Sequence, residues 1–207
     1  MEKQRIKIIQ KAGELFLRCG VRSLTMDDVS RELAISKKTL YKHVSDKSDL
    51  VQQVMKFHLE EDEQCFHELQ EGELNAIDEL FEVSRAVSEK LSSFHPSVLF
   101  DLQKYYPEAW ELFQNHKTEF IYNCMARNME RGIQQGLYRD NLNIPVIAKI
   151  YIARMDIVFN ADIFPADQFR PHEVYIEMLR YHVRGIASEK GIKYLVKKLQ
   201  NMQTNLL

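Results

Sequence analysis

Residues 25–47 read TMDDVSRELAISKKTLYKHVSDK. Val29 and Leu33 stand at i and i+4 and share one face of a short helix. Thr25 precedes that helix and Asp28 follows three residues on, a capping box with Asp where Glu or Gln is usual. Ser36 can cap a second short helix by accepting one of its free amides. Leu40 and Val44, again i and i+4, turn inward from that second helix, and Ile35 in the turn can fill the angle between the two. Asp46 then caps a further helix, with Asp49 at its third position. The stretch predicts two short helices joined by a tight turn and the start of a third. Outward on the second helix stand Lys37, Lys38, Thr39, Tyr41, Lys42 and His43.

Those outward groups are the types that bond phosphates and base edges. A helix fits the major groove of double-stranded DNA, where its N-terminal residues reach the bases. Lysine brings charge to phosphates and can donate to guanine acceptors. Thr39 offers a hydroxyl and a methyl, and Tyr41 a hydroxyl on a rigid arm. Lys47 opens the next helix, where free amides and the helix dipole attract a phosphate. Lysines alone would suit a solvated basic face on a small bundle. Their combination with the caps and the inward pairs points to a DNA-reading helix-turn-helix.

Residues 5–50 resemble the DNA-binding domain of the TetR family of transcriptional regulators. The likeness rests on a first helix ending at Gly20, a helix opened by Thr25, the Thr39-Leu40-Tyr41-Lys42-His43-Val44 element, and Lys47. It implies that Thr25, Met26 and the outward face of the third helix meet DNA. Tyr41, His43 and Lys47 would hold phosphates, while Lys37, Lys38, Thr39 and Lys42 would face bases. Two residues depart from the family pattern. Ala34 stands where the turn usually has Gly, and a left-handed conformation there costs about 1 kcal/mol relative to Gly. Ser30 replaces a small Ala, and its buried hydroxyl needs a partner, most simply the backbone carbonyl one turn earlier.

Composition fits a folded helical protein. The 207 residues are 45% hydrophobic and 28% charged, with only 7 Gly and 5 Pro. No apolar run approaches the roughly 18 residues of a membrane span, and the charged start, MEKQRIKIIQ, lacks a signal peptide's apolar segment. Cys19, Cys65 and Cys124 are odd in number and scattered, and read as reduced thiols in a cytoplasm. Residues 1–50 hold 11 Lys/Arg against 7 Asp/Glu, and the remainder 17 against 23. A basic head on an acidic body steers the head toward DNA.

Helical patterns follow one another along the chain. They cover 3–19, about 47–70, 74–93, a segment opening at His95-Pro96, about 108–135, 145–163, 172–187 and 189–201. Gly136 in the Gly132–Gly136 pair reads as a helix cap. The predicted fold is all-α. A three-helix helix-turn-helix domain covers 1–46, and an all-helical effector-binding and dimerisation domain covers 47–207. The resemblance implies a two-fold interface made by 145–163 and 172–187, with Val146, Ile150, Val158, Val174, Met178, Tyr181, Gly185 and Ile186 meeting across it.

It also implies a small-molecule cavity. The aromatic and Met-rich run from Phe94 to Met129 suggests Trp110, Phe113, His116 and Met125 as its lining, and an apolar or aromatic effector. Core packing explains the same residues. His58, Asp62 and Cys65 share a helix face that could hold a metal with a further ligand, but a solvated acidic stripe accounts for them equally, and no metal is assigned. No HExxH, CxxC, Gly-rich phosphate loop or nucleophile motif occurs, so neither enzyme nor cofactor is expected. The expected function is an effector-responsive homodimeric transcriptional regulator, a repressor, on a palindromic operator in the cytoplasm. The alternatives are a DNA-binding structural or cell-division protein without an effector, and a helical ligand-binding or enzymatic protein whose basic N-terminus is incidental.

Overall fold

With few glycines and prolines to interrupt it, the chain winds into helix after helix. The computed structural model describes residues 2–92, 95, 97–160, 162–165 and 167–202, with backbone only for Glu2, Glu71, Asn201 and Met202. The helices are α1 (Glu2–Cys19), α2 (Met26–Glu32), α3 (Lys37–Leu40), α4 (Lys47–Glu71), α5 (Ala76–Ser92), α6 (Val98–Tyr105), α7 (Pro107–Asn115), α8 (Tyr122–Gln134), α9 (Ile144–Val158), α10 (Pro171–Ile186) and α11 (Glu189–Met202). Among the described residues the extended pairing is one bridge, between Tyr138 and Ala187. None of their helices is long and apolar enough to cross a membrane.

The chain forms two compact units. The first is Met1–Gln64 with Ser93–His116, and the second is Cys65–Ser92 with Lys117–Leu207. This division differs from the expected boundary after residue 46, for a physical reason. Leu50, Val51 and Val54 of α4, Val98 and Leu102 of α6 and Ala109 of α7 bury in the same core as Ile8, Phe16, Val29 and Leu40. The head therefore needs most of α4, together with α6 and α7, to close its apolar faces.

The second unit packs Ile77, Leu80 and Phe81 of α5 against Met125 and Met129 of α8, Tyr151 and Ile152 of α9, and Leu179 and Val183 of α10. A polar network runs through it. Glu79 is 1% exposed and pairs with Arg131. It also accepts from Asn128 Nδ2 at 2.8 Å, and that same amide donates to the Ala76 carbonyl at 2.9 Å. The Tyr138 hydroxyl donates to Asn128 Oδ1 at 3.0 Å. Gly132 lies under the Tyr138 ring, so a Cβ there would sit 2.0 Å from a ring carbon. Gly136 follows the end of α8 at φ +68, as a cap should.

Two expected helices come out differently. The continuous helix over 108–135 is α7 and α8 joined by a π-helical stretch, His116–Ile121. That stretch buries two successive polar side chains. His116 Nδ1 lies 3.2 Å from Glu63, and the Lys117 ammonium donates to Asp156 at 2.6 and 2.8 Å. The helix expected to run to 163 stops at Val158, because Asn160 Oδ1 accepts the Asp162 amide at 2.9 Å and turns the chain. Phe94 and Pro96, and the end of the 74–93 pattern at Ser93, lie outside the described residues.

Glu79→Ala should lower unfolding free energy by about 3 kcal/mol, because it leaves the Arg131 guanidinium without its carboxylate and takes one of two acceptors from Asn128 Nδ2. Urea denaturation at neutral pH checks this, and a loss below about 1 kcal/mol would show that the network is replaceable.

Candidate nucleic-acid interface

Three hydrogen-bonded caps set the geometry of the basic face. Asp28 N donates to Thr25 Oγ1 at 3.1 Å and Thr25 N to Asp28 Oδ2 at 2.9 Å, so the capping box at the start of α2 is complete. Hydrogen bonds from the Thr25 hydroxyl and then its amide hold the Asp28 carboxyl below the usual carboxylate range. Thr39 N donates to Ser36 Oγ at 3.0 Å at the start of α3. Asp49 N donates to Asp46 Oδ1 at 2.9 Å, and Asp49 reaches back to accept Ser45 N at 2.7 Å. Burial raises the Asp49 carboxyl, but bonds from Gln53 and Ser45 outweigh it and leave it below its ordinary range.

Between α2 and α3 the chain turns at Ala34, whose φ of 52 is left-handed. Ile35 N then donates to the Ser30 carbonyl at 3.0 Å. Ser30 is buried, and its hydroxyl bonds the Asp27 carbonyl at 3.0 Å, the partner expected for it. Beyond α3 the amides tighten into three-residue bonds, Lys42 N to Thr39 O and His43 N to Leu40 O. Residues 36–44 thus form one compact turn anchored by Leu40 and Val44, 0% and 3% exposed.

The DNA-binding candidates fall on the two capped elements and the start of α4. Thr25, Lys37, Lys38, Tyr41 and Lys42 are exposed, and Thr39, His43 and Lys47 are half-buried. Met26 is also half-buried and packs on the head core, so less of it is available outward. Lys37 pairs with Asp27, and the Thr39 hydroxyl lies 2.9 Å from that of Ser36. Lys47 Nζ donates to the Arg22 carbonyl at 3.3 Å and lies 5.7 Å from the Tyr106 ring centre. Burial lowers the Lys47 ammonium, while Asp101 and Asp28 pull it back up.

Sequence reading missed Asp101 and Arg22. Asp101 Oδ2 accepts both Val21 N, at 3.1 Å, and Arg22 N, at 2.9 Å. The Arg22 guanidinium donates to the Tyr105 hydroxyl at 2.6 Å and stacks 4.5 Å from its ring centre. The partners lie about 80 positions apart, beyond the reach of any local pattern.

In the second unit, α9 and α10 leave an apolar face open. Val146, Ile150 and Tyr181 are 49%, 45% and 72% exposed. Gly185 is exposed, while Val174 and Met178 are half-buried. Val158 and Ile186, expected on the same face, are 4% and 3% exposed: Ile186 joins the unit's own core, while Val158 lines the groove between the two helices with Arg154, Ile157 and Tyr181. Ile157, one position earlier, is the outward residue, and Arg154 stacks 5.2 Å from the Tyr181 ring centre.

Of the expected effector residues, Trp110, Phe113 and His116 belong to the first unit and Met125 to the second. The Trp110 and Phe113 rings are 5.6 Å apart, and Met125 is 5% exposed within the second core. That core also holds polar groups, among them Ser84, Tyr151, Tyr175 and His182. His182 Nε2 has no partner among the described residues, and burial lowers its imidazole to about 4. Among the described residues no three His, Cys, Asp or Glu gather to hold a metal. His58 instead places Nδ1 3.3 Å from Glu61.

A model for bacterial regulatory proteins of the tetR family matches residues 8–54. An uncharacterized HTH-type transcriptional regulator of Bacillus subtilis, YvaF, is 25% identical over 169 residues, 81% of this chain and 88% of its own. The HTH-type transcriptional repressor KstR2 of Mycobacterium tuberculosis is 21% identical over 154 residues, 71% of this chain and 75% of its own. A TetR-family regulator from Agrobacterium tumefaciens superposes with a TM-score of 0.72 at 20% identity, covering 90% of this chain and 99% of that one. At that identity the structural likeness speaks for the fold alone.

Ala34→Gly should relieve the left-handed turn and raise stability by up to about 1 kcal/mol. A fall in the thermal midpoint would show that the packing of the alanine methyl is worth more than the strain.

Proposed function

We propose that the chain is a regulator of the TetR family, whose model matches its first quarter, and that it works as a homodimeric repressor whose hold on a palindromic operator is set by a small apolar or aromatic molecule. It is a DNA-binding regulator and not an enzyme. The observation that carries the reading is the capped α2–turn–α3 element. It buries Val29, Leu40 and Val44 and leaves Lys37, Lys38, Tyr41 and Lys42 outward. In this reading α3 enters the major groove, with Lys37, Lys38, Thr39 and Lys42 toward bases. Thr25, Met26, Tyr41, His43 and Lys47 position it on the backbone.

Dimerisation is supported by the open face of α9 and α10. An exposed patch of Val146, Ile150, Ile157 and Tyr181 is costly to leave in water. Along α10, Glu173 and Glu177 precede Arg180 and Arg184. Two copies of that helix related by a two-fold axis would set each acidic end against the partner's basic end. One helix-turn-helix makes few base contacts, and two half-sites a DNA turn apart add affinity and length of recognition. Repression follows the reading of KstR2 as a repressor, and the cytoplasm is where such a protein meets its operator.

Effector response needs only differential affinity of the ligand for two separations of the heads. An apolar or aromatic ligand fits a second-unit interior rich in Met and Tyr, with a few buried polar groups to orient it. A thermal-shift screen of lipophilic compounds tests this, because a ligand raises the midpoint by mass action.

A gel shift on DNA upstream of the protein's own gene, with salt varied, tests operator binding. Tyr41→Ala with Lys47→Ala should weaken binding to every duplex, whereas Lys37→Ala should change which duplexes are preferred. Normal binding by the double variant would overturn the orientation of α3. Tyr181→Glu should yield folded monomers in sedimentation and lose operator affinity, and an intact dimer would remove α9 and α10 from the interface.

A further inference from the structure

We propose that Asp101 is a positioning residue for DNA binding, holding the Lys47 ammonium at the start of α4 through the backbone of Arg22. The proposal rests on the DNA-binding reading above. Asp101 lies on α6, is 5% exposed, and is buried in the first unit. A buried carboxylate must find donors, and this one takes two backbone amides and a hydroxyl. Its Oδ2 accepts Val21 N at 3.1 Å, Arg22 N at 2.9 Å and Ser97 Oγ at 3.3 Å.

Arg22 is held from both sides. Its amide is fixed by Asp101, and its carbonyl accepts Lys47 Nζ at 3.3 Å. Its side chain is pinned to Tyr105, also on α6. The chain just before it runs close to α6, since a Cβ on Gly20 would lie 2.7 Å from Ser97 Oγ, and Gly20 itself has φ +81. The loop that receives the Lys47 ammonium is therefore not free. Its position is set by one carboxylate about 80 residues further along the chain.

This arrangement separates position from charge. A carboxylate near a phosphate-binding ammonium repels DNA, so on charge alone its removal would tighten binding. If Asp101 acts by position, its removal weakens binding, because Lys47 and the Arg22 peptide lose their common anchor.

The test uses the full chain and a duplex selected on the wild-type protein from a random pool. Asp101→Asn and Asp101→Ala are compared under conditions where circular dichroism shows the variant folded. Binding should weaken about tenfold. The slope of log affinity against log salt should shrink by about 0.9 for each phosphate that Lys47 no longer neutralises, about 2 for a dimer. In a Lys47→Ala background the Asp101 substitution should cost little more, as expected of residues acting through one phosphate. Unchanged or tighter binding by folded Asp101→Asn overturns the proposal, as does an additive loss in the Lys47→Ala background. Should Asp101→Ala fail to fold, Asp101→Asn carries the test. If the wild type selects no duplex, the DNA-binding reading itself has failed, an outcome distinct from a selecting wild type matched by its variant.

Discussion

A helix of four residues cannot hold itself together in water, because the cost of nucleation exceeds what one turn of hydrogen bonds returns. The helix that would read DNA, α3, has that length. Its existence depends on Leu40 and Val44 being driven into the core shared with α1, α2, α4, α6 and α7. Ser36 at one end, and the tightened bonds to Thr39 and Leu40 at the other, satisfy the backbone that so short a helix leaves open. The basic face is thus a by-product of burial. Once Leu40 and Val44 point in, Lys38, Tyr41 and Lys42 have nowhere to go but out.

The second unit solves the opposite problem. It has more apolar surface than its own core consumes. Leu179, Val183 and Ile186 of α10 go inward, while Tyr181 of the same helix stays in water. Nearby, Glu79 of α5, Asn128 and Arg131 of α8, and Tyr138 pair with one another, although Arg131 Nε finds no hydrogen-bond partner among the described residues. A network of that kind fixes which packing is allowed, since a shifted helix would leave charges unpaired.

What could be read in the sequence was short-range. Thr25 with Asp28, Ser36 with Thr39 and Asp46 with Asp49 are pairs three residues apart, and the backbone geometry of a helix start dictates them. The left-handed turn at Ala34 could be read the same way. The head's true extent could not. α6 and α7 join it through Val98, Leu102 and Ala109, apolar residues that would suit any core. Asp101 is one carboxylate among 30 acidic residues, and nothing near it in sequence points to Val21 or Arg22. In α9 the difficulty is phase. Val146, Ile147, Ile150, Tyr151, Ile152, Ile157 and Val158 surround the helix with apolar groups, so periodicity does not tell Val158, buried, from Ile157, exposed.

The ion pair between Lys37 and Asp27 bears on how such a head balances affinity against selectivity. Both side chains are more than half exposed, so the pair is screened and worth at most about 1 kcal/mol. Freeing Lys37 for a base edge is therefore cheap when the base returns a good hydrogen bond. On a wrong sequence no such bond repays even that small cost, and Asp27 remains near the DNA as a negative charge. Lys47, proposed to face phosphate, is held instead by the Arg22 carbonyl, and the carboxylates of Asp101 and Asp28 act on it only through the field and the backbone. If Lys37 faces a base as proposed, its exposed pair with Asp27 adds discrimination at little cost to the electrostatic attraction that brings the head to DNA.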